Sequence, residues 1–186
     1  MKREIRILGI DDSPFEKHQK GKVLVVGTIF RGGEWIDGIL STKVTIDGKD
    51  STEKLISMIN KCKFKTQLRA IVINGIALGG FNIIDIEKLS KKTRIPVIVV
   101  VRHMPDFKNI KKTLEKLGMK SKYKLIQNAG TPLKFKKVYF QFKGTTEEDA
   151  REILKISCTH SFIPEQIRVA HLIASGIIEG ESRGRA

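Results

Sequence analysis

The sequence predicts an α/β fold: one mixed sheet, an antiparallel meander continued by parallel strands, flanked by helices. Three observations predict it. The first 46 residues carry three apolar, strand-like runs joined by short connections, the pattern of a meander. From residue 50 onward, segments of helical period alternate with strand segments. The strands at 69–74 and 95–101 are almost wholly apolar, as strands covered on both faces are.

Residues 4–11 (EIRILGID), 22–30 (KVLVVGTIF) and 35–46 (WIDGILSTKVTI) are the three strands of the meander, and 40–46 alternates apolar and polar as a half-buried strand does. Residues 50–62 place Leu55, Ile56 and Ile59 at helical spacing, with Asp50 or Ser51 as cap. RAIVIN at 69–74 is a buried strand, 81–93 an amphipathic helix, and 95–101 a second buried strand. Residues 106–118 form a helix capped by Asp106 and stopped by Gly118. A strand at 137–142 precedes a helix at 145–157 with acids in its first turn. The last helix, 163–180, has Pro164 at its start. Nothing interrupts this series as a repeat or linker would, so 1–186 reads as a single domain, with 181–186 a flexible basic tail.

The 40% hydrophobic and 30% charged fractions are those of a globular protein. No apolar run approaches the ~20 residues of a membrane span, and the N-terminus lacks a signal-peptide pattern, so the expected location is cytoplasmic, with no membrane partner. Cys62 and Cys158 have no CxxC partners and are expected to be reduced. The net charge of +15 makes a polyanion, DNA or RNA, the first candidate partner.

Asp11 and Asp12 end the first strand, where ligands gather in open α/β sheets. Asn74 and Gly75 end the strand at 69–74, and Asn74 faces Asp11 if the two strands are neighbours. Carboxylates there suit Mg2+ or Mn2+ and hydrolysis of a phosphodiester; the alternative is that Asp11 caps a turn. Adjacent acids point to opposite faces, so at most one aims inward. Asp47 and Asp50 read as a turn with a helix cap, or as ligands from the end of the third strand. The stretch 75–80, GIALGG, is a glycine-rich loop able to face a phosphate or a tight packing turn. His171, on an apolar helix, reads as a core or surface histidine.

LGIDDSPF resembles the opening motif of endonuclease V, a metal-dependent nuclease of ribonuclease-H-like fold. In order along the chain, WIDGILS, IVINGI, RIPVIVV and IPEQIRVA resemble four more of its segments. The closer resemblance is to an uncharacterised, mainly archaeal protein family placed beside endonuclease V. The resemblance implies an endonuclease-V-related ribonuclease-H-like sheet, with the first metal-binding Asp at Asp11. The third-strand Glu falls on Val44, with Asp47 or Asp50 the nearby substitutes, and the second Asp becomes Asn74. The His-Pro-Arg loop is replaced by Leu78-Gly79-Gly80, and the His near the final helices falls around Lys143 or Gly144. The aromatic wedge is Trp35, followed by Asp37 in place of Pro.

The candidate catalytic residues are therefore Asp11, Asp12 and Asn74. The candidate Mg2+ or Mn2+ ligands are Asp11, Asp47 and Asp50. Trp35, Gly75, Lys111, Lys112, Lys143 and Arg168 are the candidate nucleic-acid contacts. The leading expectation is a nucleic-acid-binding protein with a depleted metal site, and the alternative a metal-dependent endonuclease with rearranged carboxylates. A scaffold protein whose cleft takes another ligand is the third. Selection for deaminated bases is implied by the resemblance alone.

Overall fold

The central strands are apolar at nearly every position, so both sheet faces need covering, and the helices cover them. The protein is described by a computed structural model covering residues 1–16, 19–184 and 186. Residues 17 and 18 of the first loop and residue 185 of the C-terminal segment lie outside the described residues.

The meander is β1 (Arg6–Asp12), β2 (Lys22–Arg31) and β3 (Trp35–Thr45), antiparallel throughout. Helix α1 (Ser51–Asn60) leads to β4 (Leu68–Asn74), which lies parallel beside β1. A small hairpin, β5 (Ala77–Leu78) and β6 (Asn82–Ile83), precedes α2 (Ile86–Thr93) and β7 (Val97–Val101), parallel to β4. Then come α3 (Phe107–Lys116), α4 (Tyr123–Asn128), the hairpin β8 (Leu133–Phe135) and β9 (Val138–Lys143), α5 (Glu147–Ser157) and α6 (Glu165–Glu179). The seven-stranded sheet has the order β3-β2-β1-β4-β7-β9-β8. The architecture is the mixed sheet between helices that the sequence predicts.

Parity along β1 sorts the layers. Leu8 and Ile10 join Val25, Ile71, Ile73 and the α1 residues Leu55 and Ile59 in one core. Ile7 joins Ala70, Val72, Val100, Phe140, Ile153 and the α6 residue Ile167 in the other. Full burial of each such side chain contributes roughly 1.5–3 kcal/mol. Gly9 and Asp11 share the parity of Ile7 and lie under α6. A Cβ on Gly9 would fall 2.3 Å from the Gln166 Cβ, so the missing side chain is what lets α6 settle directly on β1. Thr28 Oγ1 donates to the Gln166 carbonyl (2.7 Å), and the Gln166 amide donates to the Gly32 carbonyl, fixing the helix lengthwise.

Several local expectations are corrected. Residues 82–83 belong to the β5–β6 hairpin, and the helix starts only at Ile86, where the Asp85 carboxylate accepts from Lys88 N–H (2.9 Å). Asn82 takes the chain out of helical path: its side chain accepts from Ser51 N–H and donates to the Thr45 carbonyl and the Asp50 carboxylate. Asp50 stands at the cap of α1, but its carboxylate turns back to Thr45 instead of capping. Helix α4 and strand β8 are unanticipated; β8 joins β9 through Lys136 and Lys137, and Lys136 adopts a left-handed conformation (φ 51) without a glycine to announce it. At 181–184 the chain folds back along α6, where the sequence suggests a free tail. Cys62 and Cys158 are buried and free. No helix among the described residues is long and apolar enough to cross a membrane.

Candidate metal centre and nucleic-acid face

Asp11 is buried, 3% exposed, at the carboxyl end of β1. Its Oδ1 accepts from Asn74 Nδ2 at 3.1 Å and from the Asp12 N–H at 3.0 Å. The parallel pairing of β1 with β4 puts Asn74 there, one residue past Ile73, the partner of Ile10. Its Oδ2 lies 3.0 Å from His171 Nδ1. His171 thus contacts Asp11 directly, which its apolar surroundings on α6 do not suggest. From Gln166 over Gly9, five helix residues (about 7.5 Å) match the two strand residues (about 6.8 Å) that separate Gly9 from Asp11. The histidine that the structure brings to Asp11 is His171, on α6, while Lys143 lies at the opposite end of β9.

His171 Nε2 lies 3.0 Å from the Arg183 carbonyl. Both ring nitrogens therefore face acceptors, which favours the doubly protonated ring. The hydrogen bond to Asp11 is the main cause of a His171 pKa raised above its usual value. Burial opposes it, the Arg183 carbonyl adds to it, and the Arg102 guanidinium works against it. Arg102, just past the end of β7, is a nearby cation that no local sequence signal marks.

Asp12 points to the other sheet face, as adjacent residues must. Its Oδ2 accepts from the Gly79 N–H at 2.7 Å. Burial, opposed by that hydrogen bond and reinforced by the Asp11 charge, pushes its pKa up to about 6. The glycine loop is thus engaged by the chain's own acids: Gly79 N–H by Asp12, and Phe81 N–H by Asp47 Oδ1 at 2.8 Å. Lys122, also unanticipated, is buried and donates to the Asp47, Gly48 and Phe81 carbonyls at 2.7, 2.8 and 2.8 Å. Burial lowers its pKa.

Asp50 Oδ1 accepts from Thr45 N–H (3.0 Å) and Asn82 Nδ2 (2.7 Å), and Oδ2 from Thr45 Oγ1 (2.9 Å). Burial pushes its pKa up, but these donors outweigh it and hold the carboxyl below its usual value. Neither Asp47 nor Asp50 bonds to the Asp11 cluster; each organises a turn. Val44, where the resemblance places a Glu, is fully buried in the core.

Among the described residues, no group of three or more His, Cys, Asp or Glu side chains has metal-holding geometry. What converges is two such groups and an amide: the Asp11 carboxylate, His171 Nδ1 and the Asn74 side chain. The Asp11 carboxylate and a deprotonated His171 Nδ1 suit a single divalent ion completed by water or phosphate, and Mn2+ better than Mg2+ because it accepts imidazole more readily; Asn74, which faces Asp11 through Nδ2, adds a neutral oxygen once its amide is turned over. The ion would displace a proton from His171.

The candidate nucleic-acid contacts divide between the two ends of the sheet. Gly75 follows Asn74 with φ 75. Exposed Lys111 and Lys112 lie on α3, which begins beyond the carboxyl end of β7, the end where Asp11 sits. Trp35 pairs with Arg31 of β2, which in turn pairs with Arg6 of β1, about 17 Å of strand from Asp11. It is 66% exposed and borders a cavity of about 610 Å3 with Arg31, Gly33 and Lys155. Lys143 pairs with Val97 at that far end, and Arg168 is bonded to Glu165 in the first turn of α6.

This fold, with a buried aspartate closing the central strand, defines a class: α/β proteins on the ribonuclease-H-like scaffold of endonuclease V. Endonuclease V of Ciona intestinalis, solved with a 24mer DNA containing an inosine followed by a ribo-adenosine, matches with TM-score 0.61 at 14% identity, over 94% of this chain and 86% of that one. Argonaute of Marinitoga piezophila, solved with guide RNA and target DNA, matches at TM-score 0.53 and 14% identity, over 93% of this chain and 30% of that one. At such identities the likeness concerns the fold alone. The chain belongs to the family described as Endonuclease dU, whose model matches residues 3–178. A UPF0215 protein of Methanothermobacter thermautotrophicus is 48% identical over 191 residues, all of this chain and 94% of the relative. A protein of unknown function from Archaeoglobus fulgidus has TM-score 0.86 at 39% identity, covering 92% of this chain and 97% of that one.

Proposed function

We propose that the chain is a cytoplasmic, metal-dependent endonuclease that hydrolyses a phosphodiester in DNA carrying deoxyuridine. The observation that carries the reading is the convergence of Asn74 and His171 on the buried Asp11 carboxylate. The family description supplies the substrate class, and the endonuclease V scaffold agrees with the reaction type. Asp11, Asn74 and His171 would hold a divalent ion, which when bound would supply Lewis-acid polarisation of the phosphodiester. The chain's own residues do the rest. Asn74 and His171 orient the Asp11 carboxylate from two sides. Asp12, on the opposite sheet face, braces the Gly79 turn through its carboxylate and so holds the end of β1 that carries Asp11. Lys111 and Lys112 hold backbone phosphates at this end of the sheet, and Arg102 places a cation near His171.

A second reading is a nucleic-acid-binding protein whose metal site is depleted and which no longer cuts. It is favoured by the single carboxylate of the cluster, with Val44 in the core and Asp47 and Asp50 committed to turns. End-labelled DNA and RNA carrying deoxyuridine, inosine or neither, incubated with Mn2+ or Mg2+, separate the two. Metal-dependent cutting at deoxyuridine, absent from Asp11→Ala, supports the endonuclease. Salt-sensitive gel shifts without any cutting support binding alone.

A further inference from the structure

We infer that the segment following α6 is a positioning element of this site: the Arg183 carbonyl fixes the His171 ring so that Nδ1 faces Asp11. This rests on the reading of Asp11, Asn74 and His171 as a metal-holding cluster. Gly180, at φ 76, reverses the chain. Ser182 Oγ then donates to the Leu172 carbonyl at 2.9 Å, and Arg183 N–H to Ser175 Oγ at 3.0 Å. Ser175, fully buried, is itself held by donating to Glu179 Oε2 at 2.9 Å. Arg102 closes the segment by donating to the Ala186 carbonyl. Held this way, the Arg183 carbonyl stands 3.0 Å from His171 Nε2. Gly184 lies alongside, where a Cβ would come 3.6 Å from the same nitrogen.

A carbonyl oxygen only accepts, so the nitrogen that faces it carries the hydrogen. In the neutral ring this leaves the Nδ1 lone pair, the one beside Asp11, for a metal. A backbone carbonyl fixing the second nitrogen of a ligating histidine sets its tautomer and aim, and losing such a partner typically costs 10–100-fold in metal affinity. Ser175 is therefore a positioning residue acting through Arg183 and His171.

The test uses full-length protein with 15N-labelled histidine, loaded with Mg2+, in wild type, Ser175→Ala and Gly184→Val. Imidazole 15N shifts report which nitrogen carries the hydrogen. The wild-type His171 is expected to hold a single Nε2–H tautomer, and both variants a mixture. Mn2+ affinity is expected to fall about tenfold or more in both, with excess Mn2+ restoring any lost cleavage rate. Gly184 is exposed, so its variant keeps the test readable if Ser175→Ala folds poorly. An unchanged tautomer with unchanged Mn2+ affinity in both variants overturns the inference. Wild-type protein that binds metal through the fixed tautomer yet cuts no DNA leaves the inference standing and removes the endonuclease reading.

Discussion

Asp12→Asn should stabilise the metal-free protein at alkaline pH and much less in acid. Burial raises the Asp12 pKa from 3.8 to about 6, roughly two units. In the unfolded chain the carboxyl ionises near its ordinary value, so between these two values the folded state binds more protons. Stability therefore falls as pH rises through that window and stays low above it. At about 1.36 kcal/mol per unit, the ionised Asp12 costs about 3 kcal/mol at pH 8 and about 1 kcal/mol at pH 4.5. Asparagine keeps an oxygen for the Gly79 N–H and has no charge to desolvate. The variant should therefore gain most of that cost, and at about 2–4 °C per kcal/mol for a chain of this size its Tm should rise by roughly 6–10 °C at pH 8. Thermal unfolding followed by circular dichroism in EDTA, at pH 8 and pH 4.5, measures it. A gain equal at both pH values, or a loss at pH 8, would refute the reasoning, because either would mean that ionisation of Asp12 is not what strains the fold. An acid kept at such a cost at the end of the central strand is what a functional position looks like.

Other perturbations test other contacts. His171 has a raised folded pKa, so its bond to Asp11 stabilises the metal-free protein fully below the unfolded value near 6.5 and ceases to do so as pH rises through the folded value; His171→Asn should lower the melting temperature at pH 6 more than at pH 9. Gly9→Ala sets a Cβ 2.3 Å from the Gln166 Cβ; urea unfolding should reveal a loss of about 1–3 kcal/mol, and the shifted α6 should carry His171 out of register with weaker Mn2+ binding. Asp50→Ala removes the acceptor for Thr45 and Asn82 and should cost about 1–3 kcal/mol in the same assay while leaving Mn2+ affinity unchanged. The Asp50 contribution is present above pH 3.8 and fades as pH falls through its lowered folded value, so the variant and wild type should converge in strong acid.

The sheet is legible because buried parallel strands announce themselves as apolar runs, and the facing of Asn74 and Asp11 follows from β1 and β4 being neighbours. The hairpin β5–β6 was hidden because it is held by the Asn82 side chain, a contact reaching back to residues 45–51. His171 was hidden for a tertiary reason. An imidazole among apolar helix residues carries no local signal, and only the seating of α6 on Gly9 brings it to Asp11. The only hint was Gly9 itself, a glycine in mid-strand, which often marks close backbone approach. The basic residues had the opposite difficulty. Their charge pointed to a polyanion, but which of them share an end with Asp11 depends on strand direction, and Lys143 lies at the far end because β9 runs against β7.

The account rests on one ion held by Asp11, Asn74 and His171, and calorimetric titration of metal-free, full-length protein with Mn2+ tests it most directly. It predicts one ion per chain with release of a proton, loss of binding in Asp11→Asn, and tighter binding in Asn74→Asp, which adds an anionic oxygen. Wild-type protein that takes up no Mn2+, or that binds it equally well in Asp11→Asn, would contradict the account.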